Sequence, residues 1–164
     1  MLRLWFIMPE KIINMTLCLV YNHPRILLGM KKRGFGAGKW NGFGGKIKEG
    51  EEVYEAVKRE MKEETGVDLK DVWRVGVLDF LWAGKPDILE VHIFRGDNFD
   101  GEPKESEEMR PRWFNVDEIP YDQMWPDDKY WLPLFLSGKS FRCNFIFDDA
   151  LNILEYNLRE VSLV

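Results

Sequence analysis

The sequence predicts an α+β fold in which a mixed β-sheet is flanked by helices. Two β-rich segments and a glycine-rich stretch precede the first long helical pattern. That pattern covers residues 52–65 and ends before Gly66, a residue type suited to the left-handed conformation that closes many helices. Further β-rich segments follow it. A long helix that comes after several strands favours a sheet with helices packed on its faces.

The chain before the helix contains a predicted hairpin. Residues 15–21 form a β-rich run that ends at the turn signal Asn22-His23-Pro24, and residues 25–30 can pair with it. Residues 34–45 are dense in glycine and aromatic side chains. We expect residues 1–14 to be an N-terminal extension and residues 15–164 to form a single domain, because 164 residues suit one hydrophobic core.

Carboxylates stand on the apolar side of the predicted helix. At about 100° per residue, Val57 and Met61 fall on one apolar stripe. Glu60 and Glu64 project from the middle of that stripe, and Glu63 projects from its edge. Buried carboxylates without partners are costly, and Glu60 and Glu64 repel each other as i, i+4 neighbours. A divalent cation that takes oxygen ligands, Mg²⁺ in particular, would relieve both costs.

The remainder of the chain alternates strands with a second helix. Strand-like segments occur near residues 72–82, 88–94 and 112–116, and again at 141–147 and 153–158. Between them, a helix is expected to run to about Leu136, and Asp127 or Asp128 could cap its start. The predicted elements therefore extend nearly to the end of the chain.

Composition excludes several classes of function. The net charge is −5 and the isoelectric point is about 5.2, which argues against binding to duplex nucleic acid. No apolar run reaches the roughly 18 residues that a membrane helix needs. Cys18 and Cys143 are the only cysteines, so neither a disulfide framework nor a cysteine zinc site is expected. We expect a cytoplasmic protein, with a mitochondrial or nuclear fraction as the alternatives.

A motif joins the glycine-rich stretch to the helix. Gly45 is followed after five residues by Glu51 and after seven more by residues 59–67, which read Arg-Glu-Met-Lys-Glu-Glu-Thr-Gly-Val. This spacing fits the Nudix box at every position, and the chain resembles the Nudix hydrolase family. The stretches at 27–38, 40–45, 108–111 and 124–128 resemble the MutT-type branch of that family, which acts on oxidised purine nucleoside triphosphates.

The resemblance implies an α/β/α sandwich in which the box forms a strand, a loop and a helix. It implies that the box glutamates carry catalysis and hold Mg²⁺, for which Mn²⁺ can substitute. The metal site would consist of three box carboxylates, one backbone carbonyl and one further carboxylate: Glu60, Glu63, Glu64, Gly44 and Glu108. Arg59 and Glu51 would pair to brace the loop, a role that an ordinary helix-flanking ion pair predicts equally.

The resemblance also implies a nucleotide pocket. Asn41 would bond the edge of the base, and Trp125 would stack on the purine with other aromatic rings. Lys31 has an alternative interpretation as one of three surface charges at residues 31–33. Trp82 and Leu89 stand where Phe and Met are expected in similar proteins, which would change the shape of the pocket and the ranking of substrates. The full set is Thr16, Lys31, Phe35, Asn41, Phe43, Gly44, Gly45, Lys46, Phe80, Trp82, Leu89, Trp125, Pro126, Asp127 and Asp128.

The adjacent pair Asp127 and Asp128 has two interpretations. One carboxylate caps the following helix, or both face the base. Two adjacent carboxyls in an apolar pocket cannot both ionise cheaply, so one of them would hold a proton near neutral pH. A protonated carboxyl donates a hydrogen bond and an ionised one only accepts. A shift of that proton would let one pocket recognise more than one oxidised purine.

The expected function is Mg²⁺-dependent hydrolysis of 8-oxo-dGTP and 2-hydroxy-dATP to the monophosphate and pyrophosphate, which removes oxidised nucleotides from the precursor pool. Glu63 or Glu64 would orient or deprotonate the attacking water. One alternative is a Nudix hydrolase for another nucleoside diphosphate derivative, such as ADP-ribose. Another is a nucleotide sensor without catalysis. The expected partner is a small nucleotide rather than a nucleic acid polymer or a membrane, and the expected state is a monomer.

Overall fold

The computed structural model describes residues 11–162, so most of the expected N-terminal extension lies outside the described residues. These residues form nine strands and two α-helices. In chain order they are β1 (Lys11–Asn22), β2 (Arg25–Lys31), β3 (Trp40–Asn41), β4 (Phe43–Lys46), α1 (Val53–Thr65), β5 (Asp68–Trp82), β6 (Asp87–Asp100), β7 (Met109–Asn115), α2 (Asp128–Leu136), β8 (Phe141–Phe147) and β9 (Ile153–Glu160).

All nine strands belong to one mixed sheet. The main path runs β3-β2-β1-β6-β5-β8-β9, while β4 pairs with β1 and β7 pairs with β2. The pairs β1–β6 and β5–β8 are parallel and the others are antiparallel. The predicted α+β class and the predicted hairpin of β1 with β2 are confirmed.

Two strands, β2 and β4, pair with different segments of β1, and these pairings position the candidate site. The segment from Val20 to Asn22 pairs with β2, whereas the segment from Met15 to Cys18 pairs with β4. In that register Thr16 lies opposite Gly45. The short strands β3 and β4 thereby bring the glycine-rich stretch against the middle of the sheet. The sequence analysis did not predict these two strands.

Helix α1 follows the predicted periodicity. The Glu55 carboxylate accepts the backbone N–H of Glu52 at 3.4 Å, which stabilises the first turn. The helix ends at Gly66, which has a φ of 77° and donates its N–H to the Lys62 carbonyl at 2.9 Å. Its buried stripe includes Met61, which is fully enclosed. This stripe joins the core cluster that contains Cys18, Val20, Phe43 and Phe94.

Helix α2 covers the opposite face of the sheet. Its side chains Trp131, Leu132 and Phe135 belong to a second core cluster that contains Leu19 and Tyr21. Successive residues of a strand point to opposite faces. Cys18 and Val20 share one cluster and Leu19 and Tyr21 share the other, so α1 and α2 lie on different sides of β1. The expected sandwich is therefore confirmed.

The predicted capping of α2 by an aspartate side chain is wrong. Asp127 occupies the position before the helix, but its backbone already has helical dihedral angles, with φ −77° and ψ −25°, and its side chain makes no capping hydrogen bond. A capping residue normally has extended backbone, which aims its side chain at the free N–H groups of the first turn. The Asp127 carboxylate instead accepts a hydrogen bond from the Trp131 indole.

Several strands are longer than the sequence indicated. β1 begins at Lys11 rather than residue 15, and β6 extends to Asp100 rather than residue 94. The reason is mutual pairing: β5 and β6 form antiparallel pairs from Asp68↔Asp100 to Leu81↔Ile88, with bulges that absorb the irregular pattern. Among residues 11–162, no helix is long and apolar enough to cross a membrane.

Candidate active site

A cavity opens on the α2 face of the sheet. Its walls come from β1, β2, the glycine-rich stretch, α1, β5, β6, β8 and the start of α2. The predicted site residues that line it are Thr16, Lys31, Phe35, Asn41, Gly44, Glu64, Phe80, Trp82, Leu89, Glu108, Trp125, Asp127 and Asp128. Thus segments more than a hundred residues apart in sequence meet around one space.

Four of the predicted pocket residues do not line this cavity: Phe43, Gly45, Lys46 and Pro126. Phe43 is fully buried in the core cluster beneath α1, because alternation along β4 turns its side chain to that face of the sheet. Gly45 lies against the Glu60 carboxylate instead. A Cβ atom there would come within 2.5 Å of Glu60 Oε1, so a larger residue would displace the Glu60 carboxylate.

Other lining residues were missed by the sequence interpretation, including Met15, Leu17, Met109, Trp131 and Phe147. Leu78 and Val91 were also missed, yet they lie two residues from Phe80 and from Leu89 on the same strands. Because residues i and i+2 of a strand share a face, strand periodicity would have found these two.

Aromatic rings form much of the cavity wall. The rings of Phe35 and Trp125 are 5.0 Å apart. Phe80 and Trp82 both pack on Phe147, with centroids 5.8 and 5.5 Å apart. Phe35 is 68% exposed, which leaves its ring available at the edge of the cavity. Flat aromatic walls of this kind suit a planar ligand that can stack on them.

Two buried carboxyls stand in this apolar wall. Asp127 and Asp128 are 3% and 2% exposed. Trp131 Nε1 donates to Asp127 Oδ2 at 2.9 Å. Burial raises the pKa of both carboxyls, and the neighbouring Asp127 charge raises the pKa of Asp128 further. Within the described residues, Asp128 Oδ2 has no hydrogen-bond partner. The pair therefore retains a proton more readily than ordinary aspartates and keeps an oxygen free for a ligand.

Glu64 brings a carboxylate from α1 into the same cavity. The residue is 8% exposed, and its pKa is raised to about 8, first by burial and then by the charge of Glu60. The backbone N–H of Gly44 and the charge of Lys31 oppose this rise, while Glu108 adds to it. A buried carboxylate that is repelled by two others fits a divalent cation, which takes oxygen ligands and offsets their charge.

Arg59 holds the carboxylates of the box. Its guanidinium donates to both oxygens of Glu51, at 2.6 and 2.9 Å, so the predicted pair is present. Hydrogen bonding to Arg59 lowers the pKa of Glu51 to about 2. The same guanidinium donates to Glu60 at 2.9 Å and to Glu63 at 3.2 Å. Glu60, which the helical periodicity placed on the apolar stripe, therefore has a charged partner in Arg59.

The predicted metal ligands are not drawn together into one cluster. Across residues 11–162, no group of three or more His, Cys, Asp or Glu residues is arranged to hold a metal ion. Two of the expected ligands, Glu60 and Glu63, bind Arg59, and a third, Glu108, accepts hydrogen bonds from Arg33 at 3.0 and 2.8 Å. Each of these carboxylates uses one oxygen on the arginine and keeps its second oxygen for a cation.

The basic residues at 31–33 divide into two roles. Lys31 lines the cavity, as the nucleotide-site interpretation predicts. Lys32 instead pairs with Glu105 at 3.0 Å, and Arg33 pairs with Glu107 and Glu108 on the surface. Lys31 is thus the member of the three that can meet a negatively charged ligand in the cavity.

The fold and this site together define a class: an enzyme for a small phosphorylated ligand, with a carboxylate helix beside an aromatic cavity. A family model described as a NUDIX domain matches residues 13–135, and the chain belongs to the Nudix family. Nudix hydrolases generally need a divalent metal.

Two curated relatives are similar over most of the chain. The oxidized purine nucleoside triphosphate hydrolase of Mus musculus is 53% identical over 147 residues, 90% of this chain and 94% of the relative. That of Danio rerio is 51% identical over 148 residues, covering 90% and 95%. Among solved structures, a MutT protein from Bacillus halodurans is 30% identical with a TM-score of 0.80, covering 89% of this chain and 97% of that one.

Proposed function

We propose that this protein hydrolyses oxidised purine nucleoside triphosphates, such as 8-oxo-dGTP and 2-hydroxy-dATP, to the monophosphate and pyrophosphate. One observation carries the proposal: the buried pair Asp127 and Asp128 shares an aromatic-walled cavity with Glu64 of the box helix. The carboxyl pair would recognise a base edge by hydrogen bonds, and the box carboxylate would take part in hydrolysis in the same space. The names of the mouse and zebrafish relatives support the same substrate class.

The proposed cofactor is Mg²⁺, with Mn²⁺ as a substitute. The residues that would hold it are Glu60, Glu63 and Glu64, the Gly44 carbonyl and Glu108. When bound, the cation polarises a phosphoryl oxygen and offsets the charge that develops during hydrolysis. The buried Glu64 carboxylate, already repelled by its neighbours, supports this assignment.

The side chains would divide the remaining work. Lys31 would face the negative phosphates, since it lines the cavity and its charge acts on Glu64. Glu63 or Glu64 would take the proton of the water that attacks the β-phosphorus. Arg59 would brace the loop through Glu51 and hold Glu60 and Glu63 by one oxygen each, while their second oxygens would face the metal.

The base would lie between the aromatic wall and the polar residues. Trp125 and Phe35 would stack on the purine together with Phe80 and Trp82. The Asn41 side chain accepts only the N–H of the adjacent Gly42, at 2.9 Å, so its amide N–H groups have no partner among the described residues and are free to bond the base. Thr16, whose buried hydroxyl has no partner within residues 11–162, and Leu89 would complete the lining. The remaining predicted positions, Phe43, Gly45, Lys46 and Pro126, would support these residues from outside the cavity.

We also propose a monomer in the cytoplasm, with residues 15–164 as the catalytic domain and residues 1–14 as an extension whose last four residues lengthen β1. The two cysteines, Cys18 and Cys143, are buried free thiols, which is the state that a reducing compartment maintains. Size measurement by light scattering and cell fractionation test these two points.

The decisive experiment compares turnover of 8-oxo-dGTP with that of dGTP, with and without Mg²⁺. We expect preferential hydrolysis of the oxidised nucleotide to monophosphate and pyrophosphate, and no turnover without the metal. Equal hydrolysis of both nucleotides would refute the proposed specificity, and preferred turnover of ADP-ribose would favour a different Nudix hydrolase. Tight binding without turnover would indicate a sensor. Lys58→Gln, on the exposed face of α1, is the matched control and should retain full turnover.

A further inference from the structure

A row of apolar side chains crosses the sheet on the face opposite to the cavity. Its four members are direct partners on β1, β6, β5 and β8, in that order: Ile12, Ile88, Leu81 and Ile146. On the last three of these strands, the residues next in sequence to the row line the cavity. Because successive residues of a strand point to opposite faces, this apolar row faces away from the cavity.

Neither described helix covers the apolar row. Among residues 11–162, the core clusters beneath α1 and α2 include none of its four members. Ile12 is accordingly 49% exposed, yet Ile146 at the other end of the row is only 4% exposed. A side chain enclosed to that degree normally touches several residues around it. The burial of Ile146 therefore indicates that a further segment covers its end of the row.

The N-terminal segment of the chain joins the sheet beside this row. Lys11 pairs with Asp87 at the start of β1, next to Ile12, so residue 10 precedes one end of the apolar row. Residues 1–8 are apolar apart from Arg3. Three strand spacings, about 14 Å, separate β1 from β8. Eight extended residues reach up to about 26 Å, so this segment is long enough to cross the whole row.

The charges beside the row also suit this segment. Glu90 and Asp79 are direct partners one step further along β6 and β5. Arg142 donates to Asp79 at 2.9 Å and to Glu90 at 3.3 Å, so one guanidinium serves two carboxylates and leaves negative charge in excess. We propose that residues 1–8 pack on the apolar row as its cover, with Arg3 towards these carboxylates. This inference goes beyond the proposed function and does not depend on it.

The test is the rate at which a thiol reagent modifies Ile88→Cys in the full chain. The cover should make this rate low. Trp5→Ser together with Phe6→Ser removes two large apolar side chains from the segment and should speed the labelling about tenfold or more. Leu158→Cys is the matched control, because Leu158 lies on the edge strand β9 and is 39% exposed. Its labelling rate should be the same with and without the two serine substitutions.

The two native cysteines report whether the protein stays folded. Cys18 and Cys143 are buried free thiols, so they react only if the double serine variant unfolds. In that case Arg3→Glu replaces it, since an acidic residue beside the two carboxylates should loosen the cover and speed the labelling by a smaller factor. An Ile88→Cys rate that is unchanged in the folded variant overturns the inference. Protection that disappears on dilution assigns the cover to a second copy of the chain and overturns it as well. No substrate enters the assay, so its result leaves the proposed hydrolysis untouched.

Discussion

Replacement of Glu64 by glutamine should stabilise the metal-free protein at neutral pH and abolish turnover. The folded protein raises the pKa of this carboxyl from its ordinary 4.5 to about 8, mainly by burial. The unfolded chain therefore ionises Glu64 near pH 4.5, while the folded chain resists ionisation until about pH 8. Stability is lost progressively as pH rises between these values. About two and a half pH units separate the ordinary pKa from pH 7, so the free energy of unfolding at pH 7 is lowered by at most about 3 kcal/mol.

Thermal unfolding in the presence of a chelator measures the stability that is lost when Glu64 ionises. Glu64→Gln avoids it, so its melting temperature at pH 7 should exceed that of the wild type by up to roughly 6–12 °C, and the gap should close near pH 5. Added Mg²⁺ should raise the melting temperature of the wild type but not that of the variant. Glu63→Gln is the matched control, since its side chain is 54% exposed and its neutralisation should bring no such gain. A Glu64→Gln protein that is no more stable than the wild type, or that still turns over substrate, refutes the reasoning.

Three other predictions concern a glycine beside the site, the pairing of Arg59 with Glu51, and the need for metal. A Cβ atom at Gly44 would overlap the Thr16 carbonyl, so Gly44→Ala should lower the free energy of unfolding by about 3 kcal/mol or more in denaturant titrations. Gly84→Ala, at a φ of 77° in open space, should cost only about 1 kcal/mol, and equal losses would contradict the steric argument. Arg59→Lys keeps the charge but loses the two-pronged contact to Glu51, so kcat should fall by about tenfold or more while the protein stays folded. If Arg59→Lys kept the wild-type kcat, the paired contact of Arg59 with Glu51 would not be needed for turnover. Chelation of divalent metal should stop turnover of the wild type and re-addition of Mg²⁺ should restore it; turnover in excess chelator would exclude the metal requirement.

The sequence interpretation was accurate where the signal is local. Helix α1 could be predicted because its periodicity, its closing Gly66 and the position of Glu64 on the apolar stripe all lie within four turns of chain. The pairing of Arg59 with Glu51, which the family resemblance implies and an ordinary helix-flanking ion pair also predicts, is present. Even so, the sequence could not reveal that Arg59 also binds Glu60 and Glu63, because which rotamers converge on a guanidinium depends on packing around it.

The sequence predicted most of the longer strands but not the residues at which they begin and end. β6 extends to Asp100 because β5 supplies a partner along its whole length, and the second half of β6 carries no alternating apolar pattern of its own. The family resemblance assigned Phe43 to the pocket. The pairing of β4 with β1 instead turns its ring into the core under α1. A shift of one residue in register exchanges the two faces of a strand, and composition alone does not set that register.

The sequence by itself determined the box helix, the family and the residue types of the proposed hydrolytic site, since each is encoded in a short spacing. Only the tertiary structure decided the composition of the proposed base site. Trp131 and Phe147 reach the cavity through α2 and β8, far along the chain from the box. Trp131 also gives Asp127 its hydrogen bond, and the capping role, one of the two interpretations of the sequence, is absent. The physical reason is that spacing within one helix is fixed by backbone geometry, whereas contacts between distant segments exist only once the sheet has aligned its strands.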